Sequence, residues 1–259
     1  MQRPPVDEIL RIMPELEPYG RDAVRIDAEP GMPGVRDSSL GGPLLWPRDE
    51  PWPACSVPDD FEPSGLPPVS MVPVAQIFAR DVPGPWWPEG LDVLQILWCP
   101  NGHDESAPNQ APDSPAVALR WRREADVGDV LAAPPKPARQ DEDFYVLTPC
   151  TITTEPIVDF PFREELPEDL LPRLRQLVER TSPGGGDVIT RVSGWKVGGW
   201  PTWHLTGVNS FGCEVCGRML VLLFTIASDD TVGTTVGRFG ELRLFVCPDH
   251  PGEFMADLH

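Results

Sequence analysis

Apolar residues in this chain come in short blocks, separated by stretches rich in proline, glycine and acidic residues. Val69 to Phe78 and Leu91 to Trp98 are two such blocks, each carrying one glutamine, Gln76 and Gln95. Val117 to Arg122 alternates apolar and polar residues, Met219 to Ala227 is a strongly apolar run rich in β-branched and large residues, and Glu241 to Val246 alternates close to period two. These patterns predict strands. Shorter strands are expected at Val24 to Ile26, Phe144 to Leu147 and Val188 to Val192. One segment has helical spacing: Leu166, Leu170, Leu174, Leu177 and Val178 share a stripe within Glu164 to Arg180. Pro172 is expected to delay its regular part. A short helix is expected over residues 4 to 18, ended by Pro14, and the last nine residues are expected to pack loosely. The fold class is therefore α+β, mainly antiparallel β.

The last two strong strands carry the clearest chemistry. Asp229, Asp230, Gly233, Gly237 and Gly240 between them are turn residues. Antiparallel pairing would place the start of one strand beside the end of the other. Cys213-x-x-Cys216 precedes the first, and Cys247-x-x-His250 follows the second. Three thiolates and an imidazole match the ligand preference of zinc, so a zinc knuckle is expected to close this hairpin. Four protein ligands leave no open position, which makes the ion structural. A redox Cys-x-x-Cys is the alternative, but it expects a helix after the motif. Asp249 is a candidate for supporting a ligand from outside. Cys55, Cys99, His103 and Cys150 form a second, weaker candidate set, with zinc or ordinary buried thiols as the two readings. Cys99 as a nucleophile with His103 as base lacks a recognisable orienting carboxylate.

Composition adjusts this picture. Thirty-four prolines and 23 glycines in 259 residues disfavour a mainly helical protein. Hydrophobic content of 41%, with nine tryptophans, suffices for a core. The net charge of −19 repels nucleic acid and anionic membranes and would attract a basic protein, although it also serves solubility alone. No apolar run reaches membrane-spanning length, and the opening residues lack a signal-peptide core. A cytoplasmic location is expected.

Leu40-Gly-Gly-Pro43 is echoed by Gly198-Gly-Trp-Pro201, which suggests two similar sheet-containing halves, about 20–150 and 151–259. Gln76 and Gln95 are expected to tie backbone edges together, or else to serve a polar site. The first functional expectation is a non-enzymatic protein-interaction module, chaperone-like or masking a basic toxin. The alternative is an enzyme with a pocket between the halves, using Gln76, Gln95, and His103 or His204 as base. No phosphate loop, HExxH pair or GxSxG elbow supports that alternative. A regulatory metal sensor is a third reading.

Six segments together resemble the YwqG-like family of unknown function, DUF1963. They are LGGPLLWP at 40–47, VPVAQIF at 72–78, LDVLQILWCP at 91–100, KVGGWPTWH at 196–204, LVLLFTIASDD at 220–230 and FGELRLFVC at 239–247. The family pattern near KVGGWP usually has glutamine where His204 stands. The resemblance implies antiparallel sheets in two similar halves and transfers no catalytic residue. The family is in turn similar to part of the programmed cell death protein 2 group, whose members chaperone a ribosomal protein. The cysteine pairs resemble those of an actinobacterial branch, which implies a bacterial cytoplasmic origin.

Overall fold

The computed structural model describes residues 3–56, 67–103, 109, 114–140, 143–181, 192–203 and 207–258. In chain order its strands are β1 (Arg21–Pro30), β2 (Ser39–Leu40), β3 (Ala54–Cys55), β4 (Val69–Ser70), β5 (Val72–Phe78), β6 (Val93–Trp98) and β7 (Val117–Arg122). They continue with β8 (Cys150–Asp159), β9 (Lys196–Gly198), β10 (Val221–Ala227), β11 (Glu241–Val246) and β12 (Phe254–Leu258). Two α-helices accompany them, α1 (Val6–Ile12) and α2 (Leu171–Thr181).

Ten strands form one sheet in the order β12-β11-β10-β9-β1-β8-β2-β5-β6-β7, and every described pairing in it is antiparallel. The long central pair, β1 and β8, runs in register from Arg21↔Asp159 to Pro30↔Cys150. The outer strands then approach each other. Trp121 on β7 donates its indole N–H to Pro251 O, in the turn between β11 and β12, at 3.0 Å. The Ala256 amide on β12 donates to Asn109 O, between β6 and β7, at 2.8 Å. The sheet thus curls into a nearly closed barrel, a solution that leaves little exposed edge.

The barrel interior explains the apolar blocks. Val24, Ile26, Val74, Ile77, Ile96, Trp98, Leu223, Phe224, Leu244 and Ala256 belong to one buried cluster fed by both ends of the sheet. Strands β5, β6 and β10 are buried on both faces and read as largely continuous apolar runs; β11 is buried as well but carries Glu241 and Arg243 within it. Helices α1 and α2 and the segment just after α1 cover one outer face through Ile9, Met13, Leu16, Leu174 and Leu177, packed on Phe160. Pro14 ends α1, and a 3-10 turn follows over Pro14–Tyr19. Pro172 lies in the first turn of α2, preceded by 3-10 turns at Arg163–Glu165 and Glu168–Leu170.

Three expectations are corrected, and one strand was not foreseen. The Phe144–Leu147 segment is not a strand; Asp143–Tyr145 forms a 3-10 turn that sets Tyr145 against Trp98, with ring centroids 5.4 Å apart. The next ten residues, Cys150–Asp159, are instead the central strand β8, in a stretch whose β-branched residues alone signal a strand. The chain's end is not loose: β12 pairs with β11 from Leu242↔Leu258 to Val246↔Phe254, because β11 would otherwise present an open edge. Strand β1 is ten residues long, far beyond Val24 to Ile26, because β8 and β9 bond it on both sides. The strand expected at Val188 to Val192 lies, but for Val192, outside the described residues.

Candidate metal centre

Two knuckle-like turns face each other where the ladder of β10 and β11 ends. In the first, Gly212 bridges Met219, the Cys213 amide donates to Arg218 O, and the Gly217 amide donates back to Cys213 O. Gly217 has φ +71°, a conformation open to glycine at little cost. In the second, the Cys247 amide donates to Glu253 O and the Glu253 amide to His250 O, each near 2.9 Å. The terminal pair Val221↔Val246 holds the turns together. Arg218 Nη1 and Asp249 Oδ1, 2.9 Å apart, clip them on the outside. Asp249 therefore pairs with Arg218 and braces the two turns against each other.

The ligand atoms of Cys213, Cys216, Cys247 and His250 all lie within 4.8 Å of one another. Cys216 Sγ is 3.6 Å from Cys247 Sγ, and His250 Nδ1 is 3.7 Å from Cys213 Sγ and 3.6 Å from Cys247 Sγ. In a zinc tetrahedron with bonds of about 2.3 Å to sulfur and 2.0 Å to nitrogen, those edges are about 3.8 and 3.5 Å. The donor set and its spacing fit such an ion. Burial opposes ionisation of Cys247. The Asp249 and His250 amides and the Cys213 and Cys216 thiols outweigh that and hold its pKa below the ordinary thiol value. None of the six cysteines is in a disulfide, and strand β10, not a helix, follows the Cys-x-x-Cys. The strand in place of a helix disfavours the redox alternative.

A second cluster unites Cys55, Cys99 and His103, all buried, with Cys55 Sγ 3.4 Å from His103 Nε2. Cys150, expected as its fourth member, is not there. It sits at the start of β8 in the barrel interior with Val24 and Leu147, its thiol directed to Thr231 O. Burial first, and Asp229 second, push its pKa up, which suits an inert apolar-wall thiol.

The two glutamines are fully engaged in structure. Gln76 Oε1 accepts from the Leu45 amide at 2.6 Å and from Gln95 Nε2 at 2.9 Å, while Gln76 Nε2 donates to Val35 O and Asp37 O. Gln95 also donates to Leu45 O and accepts from Arg122 Nε, whose other nitrogens hold both oxygens of Glu50. They tie the glycine-proline loop to the sheet, as a buried amide must. His204 lies outside the described residues. Trp46 and Trp52 pack together at 4.9 Å and anchor the same loop.

Sequence reasoning missed a buried ionic network. Lys196 and Asp159 are each fully buried and 2.7 Å apart. Asp159 also accepts from the amides of Phe160, Val192 and Trp200. Arg243, fully buried, pairs with Asp257 and donates to Thr202 O. The available signal was a lone lysine or arginine inside an apolar run, Trp195-Lys-Val and Leu242-Arg-Leu.

A cavity of about 480 Å³ adjoins the C-terminal cluster and is walled by Trp86, Trp87, Trp121, Leu222, Cys247 and Pro248. The three indole N–H groups are spent on backbone carbonyls, those of Val82, Val82 and Pro251. Its charged residues are Arg21, whose guanidinium lies on the Trp200 ring, and Asp22. No pair of convergent acid–base groups is seen there among the described residues. No protein-family model and no curated protein matches this chain. No helix among the described residues is long and apolar enough to cross a membrane.

Proposed function

We propose that this chain is a non-enzymatic, zinc-stabilised acidic binding module for a basic protein. The observation that carries it is the joint position of the metal cluster and the aromatic cavity: Cys247 belongs to both, and Pro248 beside it lines the cavity. An ion at Cys213, Cys216, Cys247 and His250 has all its positions taken by protein, so it stiffens and does no chemistry. It fixes a wall beside Trp87 and Trp121, rings that offer apolar and π surface without free indole donors. Around the turns Val215, Met219 and Val221 are exposed, unusual for apolar residues at a rigid site and suited to contact. The charge of −19 supplies long-range attraction for a basic client, chaperoned or masked.

The reading includes two similar halves, β1 to β7 and β8 to β12, joined through the β1–β8 pair. It also includes kinship with the YwqG-like family, which rests on the six motifs alone, and a cytoplasmic setting, where reduced thiols hold zinc. The test is elemental analysis of protein purified without added metal, with recovery of partners from native lysate at low salt. Zinc bound to the C-terminal cluster and one basic protein in fixed ratio, released by salt, are expected. Protein lacking zinc there, or no stoichiometric basic partner at low salt, overturns the reading.

A further inference from the structure

We infer that Cys55, Cys99 and His103 form a second zinc-type site, the internal counterpart of the C-terminal one, holding its ion with two thiolates where the other has three. This rests on the reading of two similar halves, and backbone register carries it. The Met71 amide donates to Pro53 O just before β5 begins, and the Leu220 amide donates to Phe211 O just before β10 begins. In each case the accepting residue stands two before a cysteine, Cys55 or Cys213. Between them Ala54 pairs with Ser70, and Gly212 bridges Met219.

The following hairpins agree pair by pair. Val72↔Trp98, Pro73↔Leu97 and Ala75↔Ile96 skip Val74; Val221↔Val246, Leu222↔Phe245 and Phe224↔Leu244 skip Leu223. Cys99 follows β6 and Cys247 follows β11. The Cys99 amide donates to Ala116 O and the Cys247 amide to Glu253 O, in both cases the residue immediately before the next strand. Proline follows each cysteine, then histidine: Cys99-Pro-Asn-Gly-His103 against Cys247-Pro-Asp-His250. The extra residue in the first turn brings the ring in by Nε2, 3.4 Å from Cys55 Sγ, where His250 uses Nδ1. Chance burial of two thiols and a histidine does not account for so many matched positions.

The same register assigns Cys150 its role. Leu40 pairs with Cys150 as Val197 pairs with Val24, so Cys150 takes the place of a valine in the barrel wall. Three cysteines of the six serve the C-terminal cluster and Cys150 serves the wall, leaving Cys55 and Cys99. Matched on the first cysteine, Cys213-Glu-Val-Cys216 meets Cys55-Ser-Val-Pro58, and proline ligates no metal. The fourth ligand of this site is therefore not a thiolate. Two thiolates make fewer of the soft zinc–sulfur bonds than three, so the N-terminal ion is held less tightly and leaves first.

Native mass spectrometry and elemental analysis of the full chain, purified with zinc in the medium, test this. Two ions per chain are expected, and a chelator should remove one at about tenfold lower concentration than the other. Cobalt(II) exchanged into the protein should lose two of its five thiolate-to-metal contributions with the first ion, two plus three making the total. C99S and H103Q should each retain one ion, as should C247S. If a variant fails to fold, the wild-type ion count and release order still decide. One ion per chain in wild type, two retained in C99S or H103Q, or first release of the three-thiolate ion would each overturn the inference. A single ion lost on C247S would leave the C-terminal zinc reading intact; two ions unaffected by C247S would overturn that reading instead.

Discussion

At the scale of single residues, buried polar groups are the stringent feature. Asp159 collects a lysine and three amides inside the protein, so neither member of the Lys196–Asp159 pair can lose its partner cheaply. D159N should cost about 3 kcal/mol in urea unfolding, whereas the exposed Arg48–Asp129 pair should cost less than about 1 kcal/mol on D129N. Glu50 differs in being partly exposed. The Arg122 hydrogen bonds, working against burial, hold its pKa below the ordinary carboxylate value. The stabilisation is therefore complete above the unfolded value of about 4.3 and fades as pH falls through the folded one. E50Q should be less stable than wild type at pH 7, with the gap closing below about pH 4; an unchanged gap at acid pH would show that the pair does not titrate.

At the scale of elements, the strands with a clear apolar run or period-two alternation were the easiest to read. Strands β7 and β11 occur within the limits the pattern predicts, and β10 falls inside them. Strand β12 was not legible, because Phe254–Leu258 has no strong pattern and becomes a strand only against the edge of β11. Removing residues 253–259 should expose that edge and leave Arg243 without Asp257 in the interior. Soluble yield should fall and chain association rise in size-exclusion chromatography; a monomer of unchanged stability would show that β12 is dispensable. The Cys-x-x-Cys and Cys-x-x-His turns were legible as a pair because a hairpin brings its two open ends together whatever its length.

At the scale of the whole molecule, the sheet order places β1 and β8 centrally and lets the two outer ends meet at Trp121 and Pro251. An ion held by the C-terminal cluster would therefore act on more than its own hairpin, since the turn there carries the carbonyl of Pro251 that meets Trp121. A strong chelator should lower the melting temperature by about 10 °C, corresponding to roughly 4 kcal/mol in a protein of this size, and shift tryptophan fluorescence through Trp121 and Trp87. Melting and fluorescence indifferent to chelation would separate the ion from barrel closure.

Local chemistry was sufficient to specify strands β7, β10 and β11, the hairpin of the last two and its Cys/His cluster, since each depends on residues whose partners lie in one ladder. Gln76 and Gln95 were likewise readable as structural ties, because a buried amide must find partners somewhere. Placement across the barrel was decided only in three dimensions. Cys150 and Cys55 carry the same side chain, yet one faces the apolar interior beside Val24 and the other meets Cys99 and His103. Nothing in the sequence neighbourhood of either cysteine distinguishes them. The strand register does, because it sets which side chains share a wall and which meet at a strand end.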